Sequence, residues 1–554
     1  MRMLLNNLIV YFRAYRKFFV SNILLTVVTS FAQVAIPLYF KYYLDRISDT
    51  PTIAVISLAL AGFFLLLFFS DVLSVAWHYF ITKLGGQILF DLRRKLMRHI
   101  EACDYEQLGI IGREKIKNIL FGDTLEVFRS IVNFSINLCA KGLILALIFG
   151  IVAVVNIKVF VILVVSFVIG LWIANYSRKR IRNTSQQVNH EFKKASKFFD
   201  VFVESTRGIK TNLNYSVYEA NHDQLARSFI EKALVNDKVQ VFFTKVLDNI
   251  NYIFSIIVIT YLVVVYKSTS LGDVVLILYY SNLVFGYAFE IESMLSMVGA
   301  SLPSFEHIDA LLSVRIPDSG TQTVERIETV RMNSVHFTYA SNPAPVLTNI
   351  NITFNAGDVV KLQGANGSGK TTLIHLLIGL LRPSGGAIEI NGMPRETFDR
   401  KQLQKKILYV GQEELFLNST IYEYYQSLSE TPVDREMIDT MLRDWEFFDD
   451  CEAQNDLVLD YKGTNLSAGQ RRKLLVLKLL LMMHGADMIV IDELDANLDK
   501  LTRERLHLLK KELFASHNKI IIDITHDADD AGVEYTRYIK VCEGVVSEEQ
   551  QRTY

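Results

Sequence analysis

The chain has 554 residues, of which half are hydrophobic and 21% are charged, so its composition excludes an intrinsically disordered protein. Its 58 Lys and Arg residues balance 59 Asp and Glu residues, and a net charge of −1 argues against a dominant nucleic-acid-binding surface. The four cysteines are scattered without metal-ligand spacing. The mean hydropathy of +0.23 is high for a soluble protein and predicts a membrane part.

Apolar residues are concentrated in the first 310 positions, where they form six long segments. Four of these exceed the roughly 18 uncharged residues that a spanning helix needs, and the two shorter ones complete a regular topology. We therefore predict an all-α, six-helix transmembrane domain over residues 1–310, with helices at about 18–40, 52–78, 136–156, 158–178, 247–266 and 273–295.

The distribution of basic residues predicts the orientation of these helices. Residues 79–135 contain nine Lys and Arg residues and residues 178–245 contain thirteen, whereas the three alternate loops contain four in total. Basic loops mark the cytoplasmic side of a membrane. We expect a multi-pass protein, in a bacterial plasma membrane, with its N-terminus and the residues after 300 in the cytoplasm.

The two basic loops have helical periodicity and few breakers, so the spanning helices are expected to continue far into the cytoplasm. Residues 108–113 and 212–221 are predicted turns at their tips; ordinary loops are the alternative. Residues 311–326 read as a linker. Beyond it, strand-like and helical runs alternate over residues 327–554, which predicts a parallel α/β domain.

A glycine-rich segment in this second domain matches the phosphate-binding motif GxxxxGK[ST]. It follows a strand and precedes a helix, the context in which backbone N–H groups and the helix dipole hold phosphate oxygens. Lys370 is expected to reach the β- and γ-phosphates, and Thr371 to bind Mg²⁺. The predicted ATP-binding residues of this segment are Gly364, Asn366, Gly367, Ser368, Gly369, Lys370, Thr371 and Thr372.

An apolar strand farther along ends in Asp492 and Glu493, a Walker B pattern. Asp492 is predicted to support Mg²⁺, and Glu493 to polarise the attacking water as a general base. His526 follows the next strand and is expected at the γ-phosphate. Gln412 ends another strand, from which it could reach both Mg²⁺ and the water.

The segment from Asn465 to Gln470 resembles the signature sequence of ATP-binding cassette (ABC) proteins, with Ala468 where glycine is usual. It precedes the Walker B strand by about twenty residues, and the family's motifs occur in their usual order. The resemblance implies an ABC ATPase domain of the P-loop NTPase class. The six-helix part is similar to the membrane domain of type IV exporters. The resemblance implies further ATP contacts by Tyr339 and, in trans, by Leu466, Ser467, Ala468, Gly469 and Gln470, with Asp499 in the D-loop.

One cassette per chain implies a half-transporter that works with a second half, since each signature contacts ATP bound by the other cassette. A homodimer is favoured, and a heterodimer is the alternative. The expected ligands are ATP, Mg²⁺ and membrane lipid, and no nucleic acid is expected. The first spanning helix begins at about residue 18, which disfavours an exporter with a leader-cleaving peptidase domain.

These features predict an ATP-driven exporter that moves an amphipathic small molecule, peptide or lipid out of the cytoplasm by alternating access. An importer and a nucleotide-gated regulator or channel on the same scaffold are the alternatives. Tyr279, Gly286 and Glu290 share one face of the last spanning helix and are candidates for lining a substrate cavity, with core packing or an aromatic belt as the more ordinary interpretation. Other charges in or near spanning segments are Asp71, Lys141 and Glu292, for which an interfacial role is the more ordinary interpretation.

Overall fold

The computed structural model contains two compact units, one of Met1–Arg98 and Glu114–Ser313 and the other of His99–Arg113 and Val314–Tyr554. It describes residues 16–49, 52–132, 137–212, 215–266, 270–317, 320–340, 342, 344–411, 416, 418–429, 432–447, 456–460, 463–495, 498–515, 518–525 and 533–549.

The first unit is helical. The helices up to residue 312 are α1 (Arg16–Asp49), α2 (Ile53–Ala102), α3 (Tyr105–Ile111), α4 (Arg113–Asn118), α5 (Thr124–Val132), α6 (Leu138–Val155), α7 (Ile157–Glu204), α8 (Thr206–Asn212), α9 (Tyr215–Thr260) and α10 (Leu271–Leu312). Of these, α3 belongs to the second unit. Short π-helical turns join α4 to α5 and extend the end of α9.

Within the described residues, six helices are long and apolar enough to cross a membrane, which confirms the predicted six-helix class. Several are much longer than a membrane is thick. At 1.5 Å per residue, the 50 residues of α2 extend about 75 Å, more than twice the hydrocarbon thickness. These helices therefore continue well outside the bilayer, as the basic periodic loops indicated.

Polar contacts between helices supplement an apolar core in this unit. Tyr280 on α10 is buried and donates to the carbonyl oxygen of Val34 on α1 at 2.9 Å. Beyond the spanning region, the Thr184 hydroxyl on α7 donates to the Asn236 amide oxygen on α9 at 2.7 Å. Buried hydroxyls that find carbonyl or amide partners avoid the cost of an unpaired polar group.

Helix breaks occur near both predicted cytoplasmic turns. Residues 108–111 of the first predicted turn belong to α3, so the break is confined to Gly112, whose φ of 86° is in the left-handed region that favours glycine. In the second basic loop, α7 ends at Glu204, and α8 occupies the stretch before the predicted turn. Residues 215–221 of that predicted turn are the first residues of α9.

The second unit has two principal sheets. An antiparallel sheet has the order β2-β1-β4-β5, and a mainly parallel sheet has the order β12-β11-β3-β10-β9-β6. The strands are β1 (Thr329–Phe337), β2 (Leu347–Asn355), β3 (Val359–Gln363), β4 (Gly385–Ile390), β5 (Met393–Pro394), β6 (Ile407–Val410), β7 (Ser419–Thr420), β8 (Val458–Leu459), β9 (Met488–Asp492), β10 (Ile520–Ile524), β11 (Arg537–Cys542) and β12 (Val545–Glu549).

The central strands are buried on both faces, which explains their continuous apolar sequences. Helices separate them in the chain, namely α11 (Lys370–Leu377), α12 (Arg400–Lys405), α13 (Ile421–Leu428), α14 (Arg435–Asp444), α15 (Ala468–Met482) and α16 (Lys500–Phe514). In the sheet, β10 pairs in parallel with both β3 and β9. The carboxyl ends of these strands therefore meet at one edge, where α/β folds bind ligands.

Candidate nucleotide-binding site

The glycine-rich loop connects β3 to α11 and needs glycine for two different reasons. A Cβ added at Gly364 would lie 2.4 Å from the Val541 carbonyl oxygen, so a side chain there would collide with β11. Gly369 caps α11 with a φ of 107°, a conformation that L-residues rarely adopt. The loop therefore turns sharply into a helix N-terminus, whose first amide groups are free to bind an anion.

The side chains of this loop fit a phosphate ligand. The Lys370 ammonium group donates to the carbonyl oxygens of Gly364 at 2.6 Å and Ala365 at 3.0 Å, so it lies over the loop. The Ser368 hydroxyl is buried without a hydrogen-bond partner among the described residues. A Cβ added at Gly367 would meet no atom within 4 Å. An unpaired hydroxyl beside an open loop suits a ligand rich in oxygen acceptors.

Asp492 lies at the end of β9, with Tyr409 of the neighbouring β6 beside it. The Tyr409 hydroxyl donates to the Asp492 carboxylate at 3.0 Å. Burial raises the pKa of Asp492, while the Tyr409 hydrogen bond and the positive charge of Lys370 act in the opposite direction. Lys370 follows β3 and Asp492 ends β9, so the sheet brings the phosphate loop and this carboxylate to the same edge.

Glu493 has an unusual backbone, with a φ of 51°. Its N–H donates to the Ile524 carbonyl oxygen at 3.0 Å, and its own carbonyl oxygen accepts from the Arg472 guanidinium at 2.9 Å. A non-glycine residue in this region costs on the order of 1–3 kcal/mol, which the surrounding structure must offset. Such conformations concentrate at functional sites, and the partly exposed Glu493 is a predicted one.

Tyr339 lies just after β1, close to the phosphate loop. Its hydroxyl is 3.1 Å from the hydroxyl of Thr372, one of the predicted ATP-binding residues. Its ring packs perpendicular to Phe337, with centroids 4.8 Å apart. The ring is half-buried, so part of it remains accessible to a ligand.

The signature segment forms the N-terminus of α15 through a reciprocal capping box. The Ser467 hydroxyl accepts a hydrogen bond from the backbone N–H of Gln470 at 3.1 Å. In return, the side-chain oxygen of Gln470 accepts one from the backbone N–H of Ser467 at 2.9 Å. Ser467 and Ala468 are exposed, whereas Leu466 is buried and Gly469 is partly buried. The sequence thus places the signature hydroxyl at an accessible helix N-terminus.

Asp499 caps α16, where its carboxylate accepts from the backbone N–H of Thr502 at 2.8 Å and from the Thr502 hydroxyl at 2.7 Å. The hydroxyl hydrogen bond is the main reason why the pKa of Asp499 is lowered to about 2. Gln412 and His526, which complete the predicted site, lie outside the described residues.

Sequence reasoning missed two residues that support this site. Tyr409 is an ordinary strand aromatic and Arg472 an ordinary helix cation in the sequence. The sheet nevertheless places Tyr409, and α15 places Arg472, against residues 492–495 at the end of β9, which we call the Walker B turn. The helical spacing of Arg472 is the signal that could have found it. Arg472 lies three and four residues before the apolar residues Leu475 and Val476, so it falls on the buried face of α15.

The first predicted cytoplasmic turn belongs to the same compact unit as the ATPase fold. The Glu106 carboxylate of α3 accepts from the Ala340 N–H at 2.9 Å, directly after Tyr339. Tyr105 packs edge-on against His375 of α11, with ring centroids 6.2 Å apart. The helix α3, which leads into this turn, therefore contacts both α11 and the loop after β1 that carries Tyr339, called the tyrosine loop below.

The membrane candidates lie in the first unit. Tyr279, Gly286 and Glu290 are exposed in the single chain, on the shared face that their spacing predicted. Glu290 forms an ion pair with Lys141 at 3.0 Å, and Glu292 forms one with Arg178 at 3.1 Å. The structure thus places three of the four charged candidates, Lys141, Glu290 and Glu292, in two ion pairs, and Asp71 is exposed on α2.

Two family models match the chain. The model described as ABC transporter matches residues 347–496, and the model described as ABC transporter transmembrane region matches residues 19–288. The chain belongs to the ABC transporter family. It is a half-transporter, with one membrane domain fused to one ATPase domain, and it is an ATP-hydrolysing transporter.

Relatives of this ABC transporter include ATP-dependent lipid A-core flippases. The one from Thiobacillus denitrificans is 23% identical over 535 residues, covering 94% of this chain and 91% of the flippase. The one from Nitrosococcus oceani is 23% identical, covering 93% and 87%. Antigen peptide transporter 2 of Rattus norvegicus is 28% identical over 236 residues, covering 42% of this chain and 32% of that protein.

Among solved structures, a bacterial Atm1-family ABC exporter with ATP bound matches with a TM-score of 0.78 at 17% identity. The match covers 96% of this chain and 94% of the exporter, which confirms the predicted fold class over both domains. The family, the relatives and this fold support ATP-driven export by a multi-pass membrane protein. Half-transporters of this family generally form dimers.

Proposed function

We propose that this chain exports an amphipathic small molecule, peptide or lipid from the cytoplasm by ATP-driven alternating access, as one half of a dimer. The observation that carries the proposal is the Walker B turn, in which Glu493 is held in a strained backbone conformation beside Asp492. An intact carboxylate there favours real hydrolysis over a purely regulatory cassette. The names of the relatives indicate different substrates. We therefore infer the substrate class from the exposed face of Tyr279, Gly286 and Glu290 on α10.

The phosphate loop and Tyr339 bind ATP in this proposal. The Lys370 ammonium group neutralises charge on the β- and γ-phosphates, and the Tyr339 ring stacks on adenine. Ser467 and the Gly469 N–H contact the γ-phosphate held by the second half, because their helix N-terminus is exposed. Each ATP is then held between two cassettes, which favours a closed dimer.

Mg²⁺ fits the oxygen donors at this site. The Thr371 hydroxyl and the Asp492 carboxylate would hold it, with Gln412 as a further ligand, and hard oxygen donors are those that Mg²⁺ prefers. When bound, Mg²⁺ would neutralise charge on the phosphates. Glu493 accepts a proton from the attacking water, and His526 is proposed to contact the γ-phosphate.

We further propose that residues 108–113 and 212–221 transmit cassette motion to the spanning helices. For the first turn, the support is the contact of α3 with the tyrosine loop and with α11. Because residue 102 ends α2, a displacement at α3 is passed directly to a spanning helix. In this proposal the protein lies in the plasma membrane of a bacterium, and its N-terminus and ATPase domain face the cytoplasm.

The exposed face of Tyr279, Gly286 and Glu290 is the proposed substrate surface. Aromatic and acidic groups on one face suit an amphipathic substrate, including a cationic one. A Cβ added at Gly286 would meet open space, so a larger side chain can be placed there without an internal clash. Gly286→Trp should therefore impair transport more than it impairs folding.

The ATPase part is tested with the full-length chain purified alone into lipid nanodiscs. Glu493→Gln should slow turnover by on the order of 10²–10⁴ while ATP binding persists. Glu504→Gln, an exposed glutamate on α16, is the matched control and should keep near-normal turnover. Wild-type turnover supports a homodimer, whereas its absence in a well-folded preparation that binds ATP points to a missing partner chain. Near-normal turnover of Glu493→Gln contradicts the assignment of the base.

Transport is tested in inside-out vesicles with a fluorescent amphipathic cation and a fluorescent phospholipid as probes. ATP-dependent accumulation or translocation that Glu493→Gln abolishes supports export. ATP-dependent movement in the opposite direction would identify an importer instead. An ATP-gated ion conductance without probe movement would identify a channel.

A further inference from the structure

A buried charge network lies behind the Walker B turn, in a part of the cassette that the proposed mechanism does not use. Lys510 on α16 is completely buried. Its ammonium group donates to the Asp495 carboxylate at 2.8 Å and to the two Asp523 oxygens at 3.1 and 2.9 Å. The Tyr535 hydroxyl also donates to Asp523, at 2.8 Å.

The network joins two segments that border the nucleotide site. Asp495 begins the D-loop and lies two residues after Glu493, while Asp523 lies in β10, three residues before His526. Both carboxylates are buried, with exposed fractions of 6% for Asp495 and 0% for Asp523. Lys510 therefore connects the Walker B turn to the end of β10 through hydrogen-bonded ion pairs.

This arrangement is a costly way to fill a core, because burial raises the pKa of Asp523 even beside the Lys510 cation. Burial alone would lower the pKa of Lys510, but the charges of Asp523 and Asp495 outweigh burial and raise it. Lys510 thus remains a cation. Apolar side chains of similar volume often stabilise a core as well as a buried ion pair does. Stability alone therefore does not explain why charge is present at this point.

The element that needs positioning is Glu493. Its left-handed backbone is held on one side by the hydrogen bond from its N–H to Ile524 and on the other by Arg472. Asp495 provides a third anchor through Lys510. The Ile524 and Asp523 anchors are adjacent in β10, so the same strand end holds the turn both before and after Leu494.

We propose that Lys510 is a positioning residue for ATP hydrolysis, which fixes the Glu493 turn against the end of β10 by tying Asp495 to Asp523. Lys510 itself touches no reacting atom. This inference rests on the proposed role of Glu493 as the base. A displacement of about 1 Å at a catalytic group can cost about 10²-fold in rate, so loss of this tie should reduce turnover rather than ATP binding.

The test uses the full-length chain in lipid nanodiscs. Lys510→Met should lower kcat for ATP by about 10-fold to 100-fold, with KM and ATP affinity changed less than about twofold. The matched control is Leu509→Ala, which weakens the apolar core at the neighbouring position of α16. It should lower the thermal midpoint while kcat, measured well below that midpoint, stays within about twofold. A kcat loss that follows the thermal midpoint equally in both variants would overturn the proposal.

A second variant covers misfolding of Lys510→Met, which leaves two buried carboxylates without their cation. The triple variant Asp495→Asn, Lys510→Met, Asp523→Asn removes all three charges and should recover much of the thermal midpoint. The inference expects kcat to stay low in this variant because the tie is still absent. Recovery of kcat together with the midpoint would show that Lys510 serves folding alone.

The Glu493→Gln background separates this inference from the proposed function. If Lys510 acts through Glu493, adding Lys510→Met to Glu493→Gln should change the residual turnover less than about twofold. An undiminished loss in that background contradicts the proposed route. If Glu493→Gln abolishes turnover but Lys510→Met has normal kcat, only the role of Lys510 fails. Near-normal turnover of Glu493→Gln itself overturns both.

Discussion

The carboxylate of Glu106 accepts a hydrogen bond from the backbone N–H of Ala340 at 2.9 Å, although the two residues are 234 positions apart. Ala340 follows Tyr339, the proposed adenine partner. The helix α3 that carries Glu106 is separated from the end of α2 by two residues. We propose this contact as a direct route from the occupancy of the adenine site to a spanning helix.

Glu106→Ala should weaken this route. Loss of one hydrogen bond to a charged acceptor at a partly exposed site corresponds to about 0.5–1.5 kcal/mol, so KM for ATP should rise about twofold to tenfold. The same variant should reduce the ATP-dependent change in distance between spin labels at the outer ends of α1 and α10. Glu114→Ala, which removes an exposed glutamate from α4, is the control and should leave both measurements unchanged. Equal effects of the two variants would contradict a specific role for Glu106.

Ala468 offers a test of the contact between cassettes. It is exposed at the first position of α15, where the usual family residue is glycine. Ala468→Gly should keep turnover within about twofold, because the helix propensity difference is only about 1 kcal/mol and the capping box of Ser467 and Gln470 remains.

Ala468→Trp is expected to abolish turnover by blocking closure of the dimer, while ATP binding to each phosphate loop persists. ATP turnover and equilibrium binding of a fluorescent ATP analogue would be measured on both variants. Full turnover with tryptophan at this exposed position would argue against a trans contact by the signature. A parallel loss of ATP binding would place Ala468 in the site of its own chain instead.

The membrane ion pair of Arg178 and Glu292 allows a prediction about stability. The Glu292 side chain is 10% exposed, so Arg178→Met leaves a buried carboxylate without its partner. Breaking a buried pair costs about 3–5 kcal/mol, and the 35% exposure of Arg178 places this case below that range. The thermal midpoint should fall clearly in Arg178→Met and recover in Arg178→Met, Glu292→Met. A double variant with the same thermal midpoint as the single variant would contradict this prediction. It would show that the two side chains stabilise the fold through contacts other than the ion pair between them.

Sequence patterns predicted the parts of this protein that depend on local order. The phosphate loop needs glycine at Gly364 and Gly369 for reasons of backbone conformation and close approach, and these constraints appear as a motif. Four apolar segments have the length that a bilayer requires and two shorter ones complete the topology, so the number of spanning helices was also predictable. Strand and helix alternation likewise predicted the parallel sheet.

Contacts between distant residues were not predictable in this way. Lys510 occurs in a helix with many charges, and its sequence neighbours do not show that it is buried between Asp495 and Asp523. Lys141 and Glu290 were both candidates, but their pairing depends on how α6 packs against α10. In the second basic loop, three asparagines favoured a turn over 212–221, whereas the helix α9 begins at Tyr215. Its first turn is mostly exposed, but Tyr218 packs against Phe198 and Phe202 of α7, a contact that local sequence preferences do not reveal.

His375 provides a pH-dependent test of the contact between α3 and the ATPase fold. His375 lies on α11, and its partial burial there lowers its pKa below the ordinary value near 6.5. The unfolded chain then binds a proton more readily than the folded chain between these two pKa values. The free energy of unfolding that depends on neutral His375 is therefore fully present above about pH 6.5 and is lost as the pH falls toward the folded-state pKa.

The thermal midpoint of the wild type should accordingly fall on acidification from pH 7.5 to 5.5, and the slope should be smaller in His375→Gln. His222→Gln, which removes an exposed histidine from α9, is the matched control for the loss of a histidine. Since Tyr105 packs edge-on against His375, protonation should also loosen α3. Hydrogen exchange of residues 105–111 should thus accelerate at pH 5.5 in the wild type, after correction for the intrinsic rate, and respond less in His375→Gln. Identical slopes and exchange in all three proteins would contradict the assignment of this titration to His375.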